Sequence, residues 1–224
     1  MTNTLHRFGA PETFQDDYIV FAMAARGIND VDAPAKLQEF LRLALRHHPL
    51  NLGNSLQGGL YQASSSLTPL VHWHREDSVD PQELINGIDS CTTVAAVFDQ
   101  PGNVEAFLVD LQKADLGISV NISSLTNEAR ACCQRAGIVR HSVSYSLGFH
   151  GDQTLLPDRH VLELSTMCGH GMVSHNLAKK MMDLVKEGRR TAQQAAICMA
   201  RFCTCGVFNP SRAVRILEKA RVGE

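Results

Sequence analysis

Cysteine residues concentrate near the C-terminal end of this 224-residue chain, in two short segments that also contain glycine. The first segment reads TMCGHGMVSHN and contains Cys168, and the second reads FCTCGVFNP and contains Cys203 and Cys205. Three thiolates that converge from separate elements are the soft ligands that zinc and iron–sulfur clusters prefer. We therefore predict a thiolate-bound metal or cluster at Cys168, Cys203 and Cys205.

The choice of metal depends on a nearby histidine. His170 lies two residues after Cys168 and offers a fourth ligand. Without it, three thiolates favour a cubane iron–sulfur cluster that leaves one iron open to substrate. With it, the four ligands form a closed set suited to zinc. The C-x-H and C-x-C spacings are shorter than those of common zinc fingers, so both cofactors stay open.

Two glycines, Gly169 and Gly171, flank His170 and are candidates for contact with the cofactor. Glycine lets the backbone approach a ligand closely. The segment is predicted to follow a strand and to open a helix, whose free N–H groups favour an anion or a thiolate. The same setting gives two alternatives: thiol chemistry at Cys168, or cysteines that simply fill the core as small apolar side chains.

Histidines are the candidates for proton transfer, because their ordinary pKa lies near neutral pH. His170, beside the predicted metal ligands, and His150, at the end of a predicted strand, are the two candidate catalytic residues. His72 and His74 flank a tryptophan and would share one face of a strand. They are predicted either as a pair of metal ligands or as two exposed side chains.

Composition and charge narrow the classes of function. The 21 basic and 23 acidic residues give a formal net charge of −2, which excludes the strongly basic surface expected of nucleic-acid-binding proteins. No apolar run approaches the roughly 18 residues of a membrane span. Seven cysteines, an odd number, and no signal peptide predict reduced thiols and a cytoplasmic location. The sequence contains no P-loop, G-x-G-x-x-G, G-x-S-x-G or H-E-x-x-H motif.

These observations predict an enzyme that uses an iron–sulfur cluster or another thiolate-bound metal on a small, anionic metabolite. The open metal position would act as a Lewis acid or electron conduit while a histidine moves a proton. The alternatives are a small-molecule-binding regulatory domain without catalysis, a subunit of a larger complex, and a thiol redox protein.

The elements that position these residues indicate an α/β fold of the α+β sandwich type. Between residues 92 and 164, the order strand, helix, strand, helix, strand, strand predicts a βαβαββ core with helices on one face. The four predicted strands read TTVAAVF, ISVNISSL, HSVSYSLGF and HVLEL.

Residues 1–75 are predicted to form a helical N-terminal extension with a long loop, and residues 76–224 to form the main domain. The apolar run 18–23 is predicted as a buried helix, and an amphipathic helix follows it. The loop over residues 47–74 lacks Asp, Glu, Lys and Arg. We expect its residues 50–69 to pack over the site or, alternatively, to form a linker.

The segment DQPGNVEAFLVDLQKADLGISVNI, within residues 92–123, resembles the opening strand–helix–strand of ACT regulatory domains. Pro101 and Gly102 stand at the strand-to-helix turn, as in that family. The chain departs from the family after this segment, because Thr126 opens a helix where ACT domains continue with a hairpin strand. The resemblance implies amino-acid binding at a subunit interface, and therefore a homo-oligomer.

The C-terminal pattern predicts how the cysteines meet. Two helices over about residues 172–187 and 192–202 are joined by a short turn at Gly188. An antiparallel helix hairpin returns the end of its second helix to the level where the first begins. This geometry would place Cys203 beside Cys168.

Overall fold

The computed structural model describes residues 6–62, 78–146 and 148–223 of the chain. Within them, eight α-helices accompany one five-stranded antiparallel sheet. The strands are β1 Tyr18–Met23, β2 Asn51–Asn54, β3 Gly58–Gly59, β4 Thr93–Phe98 and β5 Ser119–Ser123. The helices are α1 Ala33–Leu45, α2 Pro81–Asn86, α3 Pro101–Ala114, α4 Thr126–Arg135, α5 Arg159–Thr166, α6 His175–Lys186, α7 Ala192–Ala200 and α8 Pro210–Val222. Helices and sheet coexist in one mixed fold, so the predicted α/β class is confirmed.

The first strand overturns one prediction. β1 lies between β4 and β5 and pairs antiparallel with both, so the buried helix predicted over residues 18–23 is wrong. The run is only six residues long and rich in β-branched and aromatic side chains, and a continuous apolar run is also typical of a strand buried on both faces.

The sheet joins both halves of the sequence. Its strand order is β3-β2-β4-β1-β5, so three strands from the segment predicted as a helical extension pair with one another or with β4 and β5. The amphipathic helix predicted in that segment is present as α1, which buries Leu37, Phe40 and Leu41. Strands from both sides of residue 76 therefore belong to one sheet.

Helices cover both faces of this sheet. Ile19 and Phe21 of β1 face a core shared with α5, α6, α7 and α8. Val20 and Ala22 point the other way, into a core shared with α1, α2, α3 and α4. The prediction of helices on one face is therefore wrong. The apolar character of successive residues in β1 and β4 is the physical reason, since both sides of these strands need cover.

Two of the four predicted strands are not strands. HVLEL lies in α5, where Asp158 caps the helix by accepting a hydrogen bond from the backbone N–H of His160. The described residues of HSVSYSLGF are irregular and exposed, including Val143 and Tyr145. Alternation alone does not make a strand, because a strand also needs an adjacent ladder of hydrogen bonds, and a cavity separates this segment from β5.

The other predicted elements of the C-terminal two thirds are present. TTVAAVF and ISVNISSL correspond to β4 and β5, and α3 and α4 follow them as predicted. Asp80 caps α2 by accepting a hydrogen bond from the backbone N–H of Gln82. No helix in the described ranges is long and apolar enough to cross a membrane.

Candidate metal centre

Two turns between helices carry the candidate ligands. Cys168 and His170 lie in the turn from α5 to α6, and Cys203 and Cys205 lie in the turn from α7 to α8. Cys168 therefore follows a helix and does not open one, which corrects the predicted position. The next helix begins only at His175, where Ser174 supplies the cap by accepting a hydrogen bond from the backbone N–H of Leu177.

The predicted helix hairpin brings these turns together. α6 ends before Gly188, whose φ of 68° permits the reversal of the chain. α7 then starts with a capping box, in which Thr191 and Gln194 each accept a hydrogen bond from the other's backbone N–H. α6 has 12 residues, α7 has 9, and the two helices pack against each other. Because they are of similar length and joined by a short turn, the end of α7 returns to the level of Cys168.

Three side chains form a compact group at this meeting point. The sulfurs of Cys168 and Cys205 and a ring nitrogen of His170 all lie within 4.8 Å of one another. The Cys205 Sγ is 3.3 Å from the His170 Nδ1. Cys203 adjoins the group, with its Sγ 3.9 Å from that of Cys205. We call Cys168, His170, Cys203 and Cys205 the cysteine centre. Three of its members, Cys168, His170 and Cys205, form a group that could hold a metal ion.

The cysteine centre lies at the edge of the core. Cys168, Cys203 and Cys205 are 0%, 1% and 7% exposed and belong to the apolar core beneath α5–α8. His170 is exposed. An ion bound here would therefore have its sulfur ligands on the protein side and its imidazole ligand on the solvent side.

Hydrogen bonds within the cysteine centre shift the pKa values of its three thiols in opposite directions. Hydrogen bonds from Cys203 and Cys205 lower the pKa of Cys168, and backbone N–H groups of His170 and Met172 act in the same direction. The shared hydrogen bond with Cys168 is also the main reason why the pKa values of Cys203 and Cys205 are raised. One thiolate at Cys168 is thus held by two thiols. A metal that binds all three sulfurs must displace the remaining protons.

Backbone amides help to hold negative charge on two sulfurs. Cys168 accepts from the N–H groups two and four residues later, and Cys205 accepts from the N–H of Val207, two residues later. Hydrogen bonds to the charged form of an acid stabilise that form. The backbone of the first turn therefore favours the thiolate form of Cys168, whereas the smaller effect of Val207 does not outweigh the causes that raise the pKa of Cys205.

A glycine contact fixes the second turn against the sheet. A Cβ atom on Gly206 would lie 2.5 Å from the Cα of Gly53 in β2, and one on Gly59 in β3 would lie 2.8 Å from the Cα of Gly206. Only glycine allows backbones to approach this closely. Gly53 and Gly59 come from the uncharged loop, so this part of the loop packs against the cysteine turn, as predicted.

The other residues predicted at the site are two glycines and three histidines. Gly169 and Gly171 adopt φ values of 74° and 70°, so the turn around His170 needs their freedom, and their contact with a cofactor stays a prediction. His150 is exposed in an irregular segment and is not a member of the compact group. Its catalytic role also stays a prediction. His72 and His74 lie outside the described residues.

A second buried polar group, centred on Asp17, was not predicted from the sequence. Asp17 is fully buried and receives hydrogen bonds from Arg7 at 2.6 Å, Arg212 at 3.1 Å and Asn209 at 2.9 Å. The Arg212 guanidinium also lies 3.7 Å from the ring centre of Phe14. We call Asp17, Arg7, Arg212 and Asn209 the Asp17 cluster. Its members come from distant parts of the chain, so no local sequence motif predicts it.

The sequence contains one feature that could have indicated the contact between the second turn and the sheet, a pair of adjacent glycines. Gly58 and Gly59 are adjacent in a segment without charge, and isolated glycines in strands often mark a close backbone approach.

Comparison with known proteins gave no match to a family model, to a curated protein or to a solved structure.

Proposed function

We propose that the protein binds one zinc ion through Cys168, His170, Cys203 and Cys205, and that this ion joins the two turns of the cysteine centre. The observation that carries the proposal is the spacing of the ligand atoms. It involves residues that are far apart in sequence and come from two separate turns.

The spacing can be compared with tetrahedral zinc. Two sulfurs at 2.3 Å from a tetrahedral ion lie about 3.8 Å apart, and a sulfur and an imidazole nitrogen lie about 3.5 Å apart. The Cys203 and Cys205 sulfurs are 3.9 Å apart, and the Cys205 sulfur is 3.3 Å from the His170 nitrogen. These two distances support tetrahedral ligation at Cys205, and Cys203 must move closer to the other ligands, because it lies outside the group whose ligand atoms are all within 4.8 Å of one another.

The same spacing favours one ion over a cluster. In a cubane cluster each cysteine binds a different iron, so the ligand sulfurs are spread around the cluster. A single ion gathers its sulfurs at the edges of one tetrahedron. Sulfurs of Cys203 and Cys205 in near contact suit the single ion, and three soft thiolates with one imidazole suit zinc among the common metals.

A closed set of four ligands supports a structural role. Structural zinc sites use four protein ligands, whereas catalytic sites keep one position for water or substrate. In the cysteine centre, the three cysteine ligands are buried, and both turns that carry the ligands have no regular secondary structure. The ion would therefore hold the ends of α5 and α7 together and fix α8 through the Cys205–Pro210 connection.

A metal-dependent enzyme that acts on a small anionic metabolite is the second candidate. The observation in its favour is that the compact group has only three members, Cys168, His170 and Cys205, and that His170 is exposed. If Cys203 were not a ligand, the ion would keep one open position next to solvent. That position would act as a Lewis acid on the metabolite, with His150 as the candidate for proton transfer.

Thiol redox chemistry has weaker support. Reactive cysteines are usually partly exposed, because the attacking thiolate must reach its target. Cys168 carries the stabilised thiolate but is 0% exposed. Its charge is therefore better suited to a metal than to a soluble oxidant.

Metal analysis of matched variants tests the proposal. Protein purified with zinc in the medium should carry one zinc per chain, and Cys168→Ser or Cys205→Ser should remove most of it. Cys198→Ser is the control, because Cys198 is buried in the same core but lies outside the group. Wild-type protein that carries less than about a tenth of an equivalent of zinc in the presence of excess metal would contradict the proposal.

Replacement of Cys203 separates the two candidates. Under the structural proposal, Cys203→Ser weakens zinc binding as strongly as Cys205→Ser does. Under the enzyme candidate, Cys203→Ser keeps a full equivalent of zinc, because the three remaining ligands are those of a catalytic site.

A further inference from the structure

A cavity of about 850 Å³ runs along the outer edge of β5, far from the sulfur ligands in sequence. It lies between β5, the helices α3 and α4 on either side of that strand in sequence, and the irregular segment 138–146. Sites for small organic molecules usually measure about 300–1,000 Å³ and combine an apolar lining with a few polar groups. The size of this cavity falls within that range.

The inner part of the cavity is apolar. Leu108 and Leu111 of α3 and Ala129 and Cys133 of α4 line it, and all four are buried. The thiol of Cys133 has a raised pKa because burial removes it from water. This wall offers contact to a hydrocarbon or aromatic group but no partner for a charge.

The rim next to this wall is polar and cationic. Arg140 lines the cavity, is half-buried, and donates a hydrogen bond of 3.4 Å to the carbonyl of Thr126 in the first turn of α4. Among the described residues, no carboxylate forms an ion pair with Arg140. Its charge also reaches the cavity wall, since it favours the thiolate form of Cys133. Arg7, the other arginine of the lining, is already paired with Asp17.

Two further groups near Arg140 have no side-chain partner within the part of the chain that the structure describes. The hydroxyl of Ser124 lines the cavity, is buried, and has no hydrogen-bond partner among the described residues. The N-terminus of α4 follows directly, and its N-cap residue, Leu125, provides no side-chain cap. Uncapped N–H groups at a helix N-terminus favour an anion. A cation, a free hydroxyl donor and an uncapped helix start thus meet at one end of an otherwise apolar cavity.

We propose that this cavity binds an organic carboxylate with an apolar body. The carboxylate lies at Arg140, Ser124 and the first turn of α4, and the apolar body lies against α3 and α4. Asp115 and His141 also line the cavity. Asp115 sits beyond the C-terminal end of α3, so the acidic group and the cationic rim are carried by different elements. The inference does not depend on the zinc centre, because none of its ligand residues lines the cavity.

Titration calorimetry with matched probes on the full chain tests this inference. Octanoate carries both the charge and the apolar body, 1-octanol carries only the body, and acetate carries only the charge. Octanoate should bind at least about tenfold more tightly than either control, because only octanoate uses both parts of the cavity. Equal binding of octanoate and octanol, equal binding of octanoate and acetate, or no binding of octanoate at millimolar concentration would each overturn the inference.

Variants identify the site. Arg140→Gln should weaken octanoate about tenfold by removing a charge-assisted hydrogen bond, and Ser124→Ala should weaken it about threefold. Arg135→Gln is the matched control, since Arg135 belongs to α4, pairs with Glu105 and does not line the cavity. Octanoate affinity that is unchanged in both Arg140→Gln and Ser124→Ala would place binding elsewhere and overturn the inference. Ser124→Ala removes one unpartnered hydroxyl, so it keeps the test valid if Arg140→Gln does not fold.

Discussion

Two buried polar groups, the Asp17 cluster and the cysteine centre, both use residues from the short stretch 203–212, and they stabilise buried charge in different ways. In the Asp17 cluster, one carboxylate receives hydrogen bonds from two guanidinium groups and one amide. In the cysteine centre, the strongest effects on the pKa values of the three thiols are their hydrogen bonds to one another, followed by burial, and no cationic side chain of the described residues is among the causes. Buried charges are usually paired or bound to metals.

The difference indicates what each group needs. The Asp17 cluster contains its own cations, so it is complete when the chain folds. The cysteine centre gathers acidic sulfurs and one imidazole, and full ionisation of these sulfurs requires a cation from outside the chain. Only three residues separate Cys205 from Asn209, so the two groups draw on neighbouring parts of the sequence.

Removal of the Asp17 carboxylate should give the largest loss of stability. Asp17→Ala leaves Arg212, which is fully buried, without its counter-ion, and breaking a buried pair in this way costs about 3–5 kcal/mol. Urea denaturation should show the same loss with zinc and with a chelator, because this cluster needs no metal. Asp183→Ala is the control, since it breaks only the exposed pair with Lys179 and should cost less than about 1 kcal/mol. Similar losses in the two variants would contradict the assignment.

Removal of zinc should give the next largest effect. At free zinc about 100-fold above the dissociation constant, binding stabilises the folded state by about 2.7 kcal/mol, and a chelator abolishes this gain. Cys205→Ser protein should show no difference between zinc and chelator, whereas Cys198→Ser should behave like wild type. If neither zinc nor a chelator changes the stability of the wild-type protein, the cysteine centre needs no cation from outside the chain, and the contrast with the Asp17 cluster is contradicted.

The glycine contact should give a smaller effect that is specific to the cysteine turn. Gly206→Ala forces a Cβ against the backbone of Gly53, whereas Gly137→Ala introduces the same side chain at a similar φ with nothing within 4 Å. The strain of the left-handed backbone is common to both. The Gly206 variant should therefore lose about 1–3 kcal/mol more than the Gly137 variant, from overpacking alone. Equal losses in denaturation would show that the turn moves away from the sheet without cost.

Thiol labelling should distinguish the exposed cysteine, the buried cysteines and the proposed zinc ligands by their rates of reaction. Cys91 is exposed and should react with iodoacetamide first, and the buried Cys132 and Cys133 should react slowly because burial raises their pKa values. Zinc should protect Cys168, Cys203 and Cys205, and a chelator should make them more reactive. Mass mapping that finds the last three labelled equally with and without zinc would contradict metal ligation.

The segment after residue 170 was the most predictable part of the fold. Strong local signals marked its helix ends, such as the capping box at Thr191 and Asn209 before Pro210, and these ends position Cys203 and Cys205 beside Cys168. The convergence of the cysteines thus followed from helix lengths and turns. The helix at HVLEL was missed because five residues are too few to separate a strand pattern from a helix pattern.

The long-range contacts were not predictable from local pattern. The strand Tyr18–Met23 depends on β4 and β5, which lie some 70 to 100 residues later, and its apolar run alone fits either type of element. The Asp17 cluster joins residues near both ends of the chain. Its carboxylate and guanidinium groups read locally as ordinary surface charges, since burial of such groups depends on partners that sequence spacing does not reveal.

X-ray absorption spectroscopy at the zinc edge tests the metal centre most directly. Zinc-loaded protein should show three sulfur neighbours at about 2.3 Å and one nitrogen neighbour at about 2.0–2.1 Å, with the imidazole signal lost in His170→Ala. A shell of oxygen and nitrogen only, or a heavy-atom neighbour typical of a cluster, would contradict a single zinc ion held by Cys168, His170, Cys203 and Cys205.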